Sequence, residues 1–372
     1  MKRVLHVVSC LELGGTEAFI MNHYRKLDRE KAQFDFLVCR EKAYPYDEEI
    51  RSLGGKIFYT IPPKAKDTVP FIRRCAAVMR GYDVVHSHMN IDNAWALLAA
   101  KLAGVPIRVS HSHDTTGKGG SFEKKVFHAL ETLLLKRCAT EYLACSELAG
   151  DYLYGERYFA QRGRVVRNGI TPERFSAVPE QDVSALRKEF EIPDSCGLVV
   201  GNITRFEPKK NQLFLVSVFR EILRSRPDAV MLLGGPDGGM LAETQQAAAE
   251  AGISDRIRWI GARQDIPACL KLIDLYLFPS RYEGLGIVLL EAQASGCRCA
   301  VSDVIPGEVD VGLGLISFHD LRAPAATWAE EILSALPSGE RPDSAQVLKA
   351  FRDTGFDAQL SMQTLLAIYQ CG

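Results

Sequence analysis

Short apolar runs rich in β-branched residues alternate with longer segments of helical periodicity along the whole chain. In the first half, strands are predicted for RVLHVVS, FDFLVC, KIFYTI, DVVHSH, IRVSHSH and EYLACS, and helices between them, for example over residues 16–27 and 91–102. These strands are apolar almost throughout, as is typical of parallel strands covered on both faces of a sheet. The first half is therefore predicted to form a doubly wound α/β domain.

The same alternation restarts after the turn-rich stretch NGITPERFSAVPEQD. A helix is predicted over residues 183–190, followed by strands at GLVVGNI, AVMLLGG, IRWIG, LYLFP and RCAVS. At 372 residues the chain is too long for one typical core. We therefore predict Rossmann-like domains over residues 1–172 and 173–350. We expect them to face a central cleft, because ligands bind at the carboxyl ends of such sheets. A C-terminal helix within 351–372 could pack on either domain, including back on the first.

Charge and cysteine content narrow the classes of function. The chain has 45 basic and 46 acidic residues, a formal net charge of −1, which argues against nucleic acid as the main partner. Its ten cysteines are scattered without a CxxC pair, which favours reduced thiols in a cytoplasmic protein over a zinc ribbon or a redox site. No apolar stretch reaches the roughly 18 residues that a membrane-spanning helix needs.

A basic loop, GNITRFEPKKN, follows the first predicted strand of the second domain. Arg205 and Lys210 lie five positions apart across it. A guanidinium can bind two phosphate oxygens at once and an ammonium adds a point charge, so this pair suits a diphosphate. The alternative is a solvated loop that happens to be basic.

The stretch SRYEGLGIVLLEAQASG places Glu283 and Glu291 eight positions apart, on either side of a Gly-Leu-Gly and an apolar run. The pattern predicts a helix that begins at the Gly-Leu-Gly and is closed by Gly296, so free amides at its start can meet an anion. Carboxylates accept hydrogen bonds from sugar hydroxyls. Alternatively, Glu283 caps the helix and Glu291 lies on its exposed face, or the pair hydrolyses a glycosidic bond.

Two further candidates lie in the first domain. In CLELGGTEAFIM, Gly14 and Gly15 would let a ligand approach the start of a helix, which Thr16 is expected to cap. The stretch is not a GxGxxG fingerprint, and it also fits a plain tight turn. The motifs DVVHSH and IRVSHSHD repeat His-x-His, which on a strand points both rings to one face. A metal site is possible there, but a histidine that hydrogen-bonds a substrate hydroxyl is favoured, and a structural role competes for His86.

Taken in this order, these segments resemble the retaining glycosyltransferases of the GT-B fold in family 4 (GT4), which includes capsular and exopolysaccharide enzymes. The resemblance covers nearly the whole chain. It depends most on the E-x7-E stretch SRYEGLGIVLLEAQASG, with support from LGGTEAFIM, VVRNGI, GNITRFEPKKN and WIGARQDIP. Any one of these elements alone would be weak, whereas their combination in order is specific.

The resemblance implies roles for individual residues. Arg205 and Lys210 would bind the donor diphosphate, Glu291 the ribose hydroxyls and Glu283 the donor sugar. His113 would lie near the reacting sugar, with His111 as the alternative. The remaining implied contacts are the amides of Gly284, Leu285 and Gly286 on phosphate and sugar oxygens, Gly14 and Gly15 beside the diphosphate, and Arg263 at the base pocket.

The implied reaction moves a sugar from a nucleotide diphosphate, most often UDP in this family, to a glycan or lipid-linked acceptor with retention at the anomeric carbon. The resemblance implies no cofactor and no bound metal, and the chain has no Asp-x-Asp pair. Two other functions remain open: a nucleotide-sugar epimerase, and a non-catalytic protein that senses sugar nucleotides. The basic-flanked amphipathic helix predicted at FEKKVFHALETLLLKRC could also dock on the inner face of a membrane.

Overall fold

The structure is a computed structural model that describes residues 1–12, 14–64, 67–113, 122–336 and 341–371, with the backbone alone over 122–127. The chain forms two compact units. Unit 1 comprises Met1–Gly169 and Ala358–Gly372, and unit 2 comprises Ile170–Asp357. The C-terminal segment expected at 351–372 is thus divided, because its first seven residues belong to unit 2 and the rest to unit 1.

Unit 1 is built on a parallel sheet. Its strands are β1 (Lys2–Val8), β2 (Ala32–Val38), β3 (Ile57–Tyr59), β4 (Val84–Ser87), β5 (Ile107–Ser112), β6 (Glu141–Ala144) and β7 (Gly163–Val165). Its helices in this part of the chain are α1 (Gly15–Lys26), α2 (Asp47–Ser52), α3 (Thr68–Met79), α4 (Asn93–Leu102), α5 (Phe122–Cys138), α6 (Glu147–Tyr154) and α7 (Glu156–Arg162). The strand order is β3-β2-β1-β4-β5-β6-β7, so the chain winds outward in both directions from β1 and β4.

Unit 2 repeats this plan. Its strands are β8 (Val199–Ile203), β9 (Val230–Gly234), β10 (Ile257–Gly261), β11 (Leu275–Phe278), β12 (Arg298–Ser302) and β13 (Ile316–His319). Its helices are α8 (Glu173–Ser176), α9 (Glu180–Glu189), α10 (Gln212–Ser225), α11 (Leu241–Glu250), α12 (Ile266–Leu272), α13 (Ile287–Ala294), α14 (Ala325–Ala335) and α15 (Ser344–Asp353). The parallel strands lie in the order β10-β9-β8-β11-β12-β13.

The last helix, α16 (Ala358–Ile368), belongs to unit 1, where it packs against α1. Each sheet is buried on both faces. Because successive strand residues point to opposite sides, each strand contributes side chains to both of these faces. On β1, Val4 and Val8 join a core cluster with residues of α1 and α16, whereas Leu5 and Val7 join a second cluster on the other face. A strand whose two faces are both covered needs a continuous apolar sequence rather than an alternating one. The predicted doubly wound domains are confirmed.

Two edge strands, β7 and β13, were not predicted from the sequence. Both are short and only partly buried, so neither carries the apolar run that identifies the inner strands. In the described part of the chain no helix combines the length and the apolar character needed to cross a membrane. All ten cysteines are free thiols.

Candidate functional site

The winding direction of unit 2 changes between β8 and β11, which are hydrogen-bonded neighbours. The loops that leave their carboxyl ends run in opposite directions, which opens a crevice where ligands bind in folds of this kind. The loop after β8 contains Arg205 and Lys210, and the loop after β11 contains Glu283 and the Gly-Leu-Gly. The two segments that the sequence singled out separately therefore meet at one point of the sheet.

Lys210 and Glu283 form an ion pair at this point. The Nζ atom of Lys210 lies 2.5 Å from Oε1 of Glu283, and the two side chains are only 12% and 10% exposed. Nζ also lies 5.0 Å from the centroid of the Phe278 ring, whose negative face favours a cation. A lysine held by one carboxylate and one ring keeps donors for a second anion, because an ammonium has three.

The backbone of both loops is tied together next to this pair. Asn211 takes a left-handed conformation (φ 58°), and its Nδ2 donates to the carbonyl oxygen of Pro279 at 3.1 Å. The amide of Arg281 donates to the carbonyl of Lys209 at 2.8 Å. Asn211 was not singled out from the sequence. The available signal was an asparagine directly after the basic run, since this residue tolerates positive φ.

Arg205 is the uncommitted cation of the site. Its carbonyl accepts a 2.9 Å hydrogen bond from Nε2 of Gln212, which fixes the backbone. Its partly exposed guanidinium makes no hydrogen bond or ion pair with any residue that the structure describes. A guanidinium in this state can offer its full set of five N–H donors to a ligand.

The Gly-Leu-Gly forms the entrance to α13. Gly286 is the residue before the helix, with φ 80°, a conformation that favours glycine, and no side chain caps the helix. Leu285 is buried in the core and anchors the turn, whereas Gly284 is exposed. The first amides of α13 have no partner within the helix, and they carry the positive end of its dipole. The predicted helix start and the closing position of Gly296 (φ 71°) are both confirmed.

Glu291 lies in the middle of α13 and is partly exposed. Among the described residues, no hydrogen bond or salt bridge to its carboxylate is present. Burial raises the pKa of Glu291 to about 7, with a smaller opposing effect from the charge of Arg174. The group is thus poised between its neutral and charged forms near neutral pH.

Arg263 is fully engaged by acidic neighbours. Its Nε and Nη2 atoms donate to Asp265 at 2.8 and 2.5 Å, and Nη1 donates to Glu189 at 2.6 Å. Its guanidinium also lies 5.1 Å from the centroid of the Phe190 ring. The hydrogen bonds that Arg263 donates to Asp265 and Glu189 raise its pKa.

In unit 1, Gly14 and Gly15 begin α1. The helix starts at Gly15, with Gly14 before it, and no side chain caps it, so the expected cap by Thr16 is wrong. The carboxylate of Glu17 folds over the helix start: a β-carbon added to Gly14 would lie 2.5 Å from Oε2 of Glu17. Burial raises the pKa of Glu17. The space that a ligand was expected to fill at Gly14 is therefore taken by this side chain.

Six of the eight histidines form a layer between one face of the unit 1 sheet and the helices above it: five lie on or just after β1, β4 and β5, and His23 projects from α1. The two His-x-His motifs place their rings on this face as predicted, since the stacked rings of His86 and His88, and of His111 and His113, have centroids 4.1 Å apart. Asp114, which ends the second motif, lies outside the described residues. The members of the layer are His6, His23, His86, His88, His111 and His113.

Hydrogen bonds link the rings into two chains. In one, Nδ1 of His6 lies 3.0 Å from Nε2 of His88, and Nδ1 of His88 lies 2.8 Å from Nε2 of His113. In the other, the hydroxyl of Tyr369 lies 2.5 Å from Nδ1 of His86, whose Nε2 lies 3.1 Å from Nδ1 of His111. Burial lowers the pKa of all these histidines, to about 3 for His6 and His113. The rings are therefore neutral at physiological pH.

The same nitrogens are close enough together to be considered as metal ligands. One nitrogen from each of His88, His111 and His113 lies within 4.8 Å of the others, and the same holds for His6, His86 and His88. Hydrogen bonds between neutral rings account for this spacing. Within the described residues, neither group includes a carboxylate or a thiolate.

Comparison with solved structures identifies the fold. The structure of HepE from Anabaena in complex with UDP and glucose superimposes with a TM-score of 0.78 over 98% of each chain, at 18% identity. Two parallel doubly wound units with this likeness are the GT-B fold, in agreement with the prediction.

Comparison of sequences then identifies the family. A model of Glycosyltransferase Family 4 matches residues 13–174, and a model of Glycosyl transferases group 1 matches residues 186–312. The chain is 36% identical to EpsF of Bacillus subtilis (strain 168), named as a glycosyltransferase, over 99% of this chain and 96% of that protein. The chain belongs to the family-4 glycosyltransferases, and it is an enzyme of this class rather than an epimerase or a sensor.

Two further relatives cover most of the chain. The capsular polysaccharide biosynthesis glycosyltransferase CapH of Staphylococcus aureus is 27% identical over 99% of both chains. The UDP-Gal:alpha-D-GlcNAc-diphosphoundecaprenol alpha-1,3-galactosyltransferase of Escherichia coli is 27% identical over 81% of this chain and 79% of that protein.

Proposed function

We propose that this glycosyltransferase transfers a sugar, with retention, from a UDP-sugar to a glycan or lipid-linked acceptor in the synthesis of a surface polysaccharide. The observation that carries the proposal is the meeting of Arg205, the Lys210–Glu283 pair and the start of α13 at the switch point of unit 2. The names of the relatives support the donor and acceptor classes, because one acts on UDP-Gal and a diphosphoundecaprenol acceptor and another serves capsular polysaccharide synthesis.

The diphosphate is the part of the donor that this arrangement suits best. The uncommitted guanidinium of Arg205 would bind its oxygens, and Lys210 would turn one of its remaining donors to them. The amides of Gly284, Leu285 and Gly286 would supply neutral donors at the positive end of the α13 dipole. These groups are already in place before charge develops, so they can stabilise the leaving diphosphate without reorganisation.

The two glutamates would hold the sugars on either side of the diphosphate. Glu291 would accept hydrogen bonds from the ribose hydroxyls, which favour its charged form. Glu283 would contact the donor sugar while Lys210 holds it in position. For Arg263 we propose a packing role beside the base, because its donors are engaged by Asp265 and Glu189.

For His113 we propose a contact with a hydroxyl of the reacting sugar, and for Gly14 and Gly15 a contact with phosphate oxygens once Glu17 turns away. In the proposed reaction the bond from the anomeric carbon to the diphosphate oxygen breaks and a bond to the acceptor oxygen forms on the same face. The acceptor proton passes to the departing phosphate oxygen. Positioning and electrostatic stabilisation account for the rate, as no nucleophilic side chain is required.

We also propose that helix α5 brings the enzyme to the inner face of a membrane, where lipid-linked acceptors are found. Leu130 and Leu133 lie on the exposed side of this helix, 60% and 47% exposed, with the exposed Arg137 one turn further on. Lys101 of α4 contacts the carbonyl of Arg137 at 3.1 Å. Apolar side chains next to cations suit the boundary of an anionic bilayer. The side chains of Lys124 and Lys125, at the start of α5, lie outside the described ones.

Thermal unfolding in the presence of UDP-sugars tests the donor site. A donor that binds the folded chain at 100 times its Kd stabilises it by about 2.7 kcal/mol, which raises the melting temperature. We expect UDP-glucose, UDP-galactose or UDP-N-acetylglucosamine to raise the melting temperature of the parent, and Arg205→Ala and Glu291→Ala to abolish this increase.

The matched control is Arg322→Ala, which removes an exposed arginine of the same unit that pairs with its neighbour Asp320. It should respond to the donor as the parent does. Equal responses of the parent, Arg205→Ala and Glu291→Ala would show that the donor binds elsewhere. A response to GDP-sugars alone would overturn the assignment of the base.

A further inference from the structure

We propose that His88, backed by His6, is a positioning residue that determines which nitrogen of His113 faces the substrate. The inference rests on the role proposed above for His113. It concerns the chain His6–His88–His113, which runs across β1, β4 and β5 where these neighbouring strands approach or reach their carboxyl ends.

The first step concerns which atom of His113 is free. Its Nε2 is committed to Nδ1 of His88 at 2.8 Å, so Nδ1 is the nitrogen left for a ligand. This Nδ1 has no hydrogen-bond partner in the part of the chain that the structure describes. The backbone amide of His113 donates to Oδ1 of Asn90 at 3.1 Å, which holds the residue from its other side. A buried imidazole nitrogen without a partner costs stability unless a ligand satisfies it.

The second step concerns protons. Each neutral imidazole has one N–H, and each ring-to-ring hydrogen bond needs one. Because His88 uses both of its nitrogens, only two arrangements satisfy the chain. Either all three rings carry the proton on Nδ1, and His113 donates to the ligand, or all three carry it on Nε2, and His113 accepts. The tautomer of His113 is thereby coupled to that of His6. This residue lies buried against Phe34, and no described residue pairs with its Nε2.

The third step explains why the positioning depends on His88 rather than on packing. The ring of His113 contacts Phe19 and His111 through its faces and edges, and such contacts do not distinguish a ring from the same ring turned over. The hydrogen bond from His88 does distinguish them. Without it, Nε2 and Nδ1 can exchange places, and the contact with a substrate hydroxyl is lost in part of the molecules.

Nitrogen-15 NMR of the full-length, histidine-labelled protein without ligand tests the coupling directly, because protonated and bare ring nitrogens have well-separated shifts. We expect His6, His88 and His113 to share one tautomer, all Nδ1–H or all Nε2–H. Assignment uses single histidine substitutions. A mixed set of tautomers, or a protonated His88 at pH 7, would overturn the proposal.

Two substitutions of His88 then separate positioning from packing. In His88→Asn the amide is two bonds from Cβ, as Nδ1 is, so the contact with His113 can be kept. In His88→Gln the amide is three bonds from Cβ, as Nε2 is, so only the contact with His6 can be kept. We expect kcat to be about tenfold lower for the Gln variant than for the Asn variant, the effect of one hydrogen bond, with KM for the donor changed by less than threefold.

Three comparisons decide the outcome. His23→Gln changes a buried histidine of the same layer whose ring nitrogens bond Phe19 and Ser361, and it should leave kcat within twofold. If His113→Ala turns over UDP-sugars like the parent, the proposed role of His113 fails and this inference with it. If His113→Ala is inactive but the Asn and Gln variants have equal kcat, the proposed function stands and the positioning role of His88 is wrong.

Discussion

Glu291 is a carboxylate within a helix whose other residues are mostly buried and apolar. Its pKa is raised to about 7 in the folded chain, whereas in the unfolded chain the same carboxyl group ionises near pH 4.5. Above pH 7 the protein therefore folds at a cost of about 1–3 kcal/mol at this one residue, because its partial exposure to solvent reduces the effect of a shift of two to three pKa units. A ligand that donates hydrogen bonds to the charged form recovers part of this cost.

Substitution of Glu291 by glutamine should therefore stabilise unit 2 at alkaline pH while it weakens donor binding. Stability conferred by the neutral form is present below pH 4.5 and is lost as pH rises towards 7, so the parent and Glu291→Gln should have similar stability at pH 4.5. At pH 8 the variant should be more stable by about 1–3 kcal/mol. Urea unfolding at the two pH values measures this, and an equal difference at both would refute the raised pKa.

At the residue scale, the sequence predicts which side chains gather at the site better than it predicts their pairings. Arg205, Lys210, Glu283 and the Gly-Leu-Gly were placed by their positions at strand ends, which parallel topology brings to one edge. The Lys210–Glu283 pair joins residues 73 positions apart, and Arg263 reaches Glu189, the last residue of α9. Such partners follow from packing across the sheet and have no local signal.

At the scale of elements, the inner strands were predictable because burial on both faces demands continuous apolar runs. The edge strands β7 and β13 lack that demand, and their partly exposed residues resemble loop sequence. Helix α1 begins at Gly15, one residue earlier than expected, and Gly14 occupies the N-cap position without a capping side chain. Thr16 was expected to be the cap because of its residue type alone.

Helix α5 is the element for which exposure and sequence together predict a function. Replacing Leu130 and Leu133 by serine removes two exposed apolar side chains, each of which contributes about 1.5 kcal/mol or more when buried. We expect Leu130→Ser with Leu133→Ser to lower binding to anionic liposomes at least tenfold in a co-sedimentation assay. Leu148→Ser, at a 62% exposed leucine of α6, is the control that should pellet like the parent. Unchanged pelleting of the double variant would exclude membrane docking through α5.

At the scale of the whole molecule, we expect the two units to differ in how they respond to acid. Six histidines with lowered pKa values belong to unit 1. In the unfolded chain each protonates near its ordinary value, 6.5, so protons bind the unfolded state preferentially below that pH. The stability that the neutral histidines provide is present above pH 6.5 and is lost as the pH falls below it.

We expect unit 1 to unfold between pH 6.5 and 5. One pH unit below 6.5, each buried neutral histidine costs about 1.4 kcal/mol, so six cost up to about 8 kcal/mol, comparable to the whole stability of a domain. Trp95 lies in unit 1 and Trp259 and Trp328 in unit 2, so the difference in fluorescence between the parent and Trp95→Phe reports unit 1. A unit 1 signal unchanged from pH 7.5 to 5 would contradict the neutral histidine layer.

The division of the chain between the two units has a consequence for its synthesis. Ile170–Asp357 must be translated between the first and last parts of unit 1, which takes roughly 10–40 s at about 5–20 residues per second. During that interval the nascent first sheet lacks α16 over its histidines, and the hydroxyl of Tyr369, which bonds Nδ1 of His86 in the folded chain, has not yet been synthesised. The half that leaves the ribosome first is thus the half that matures last.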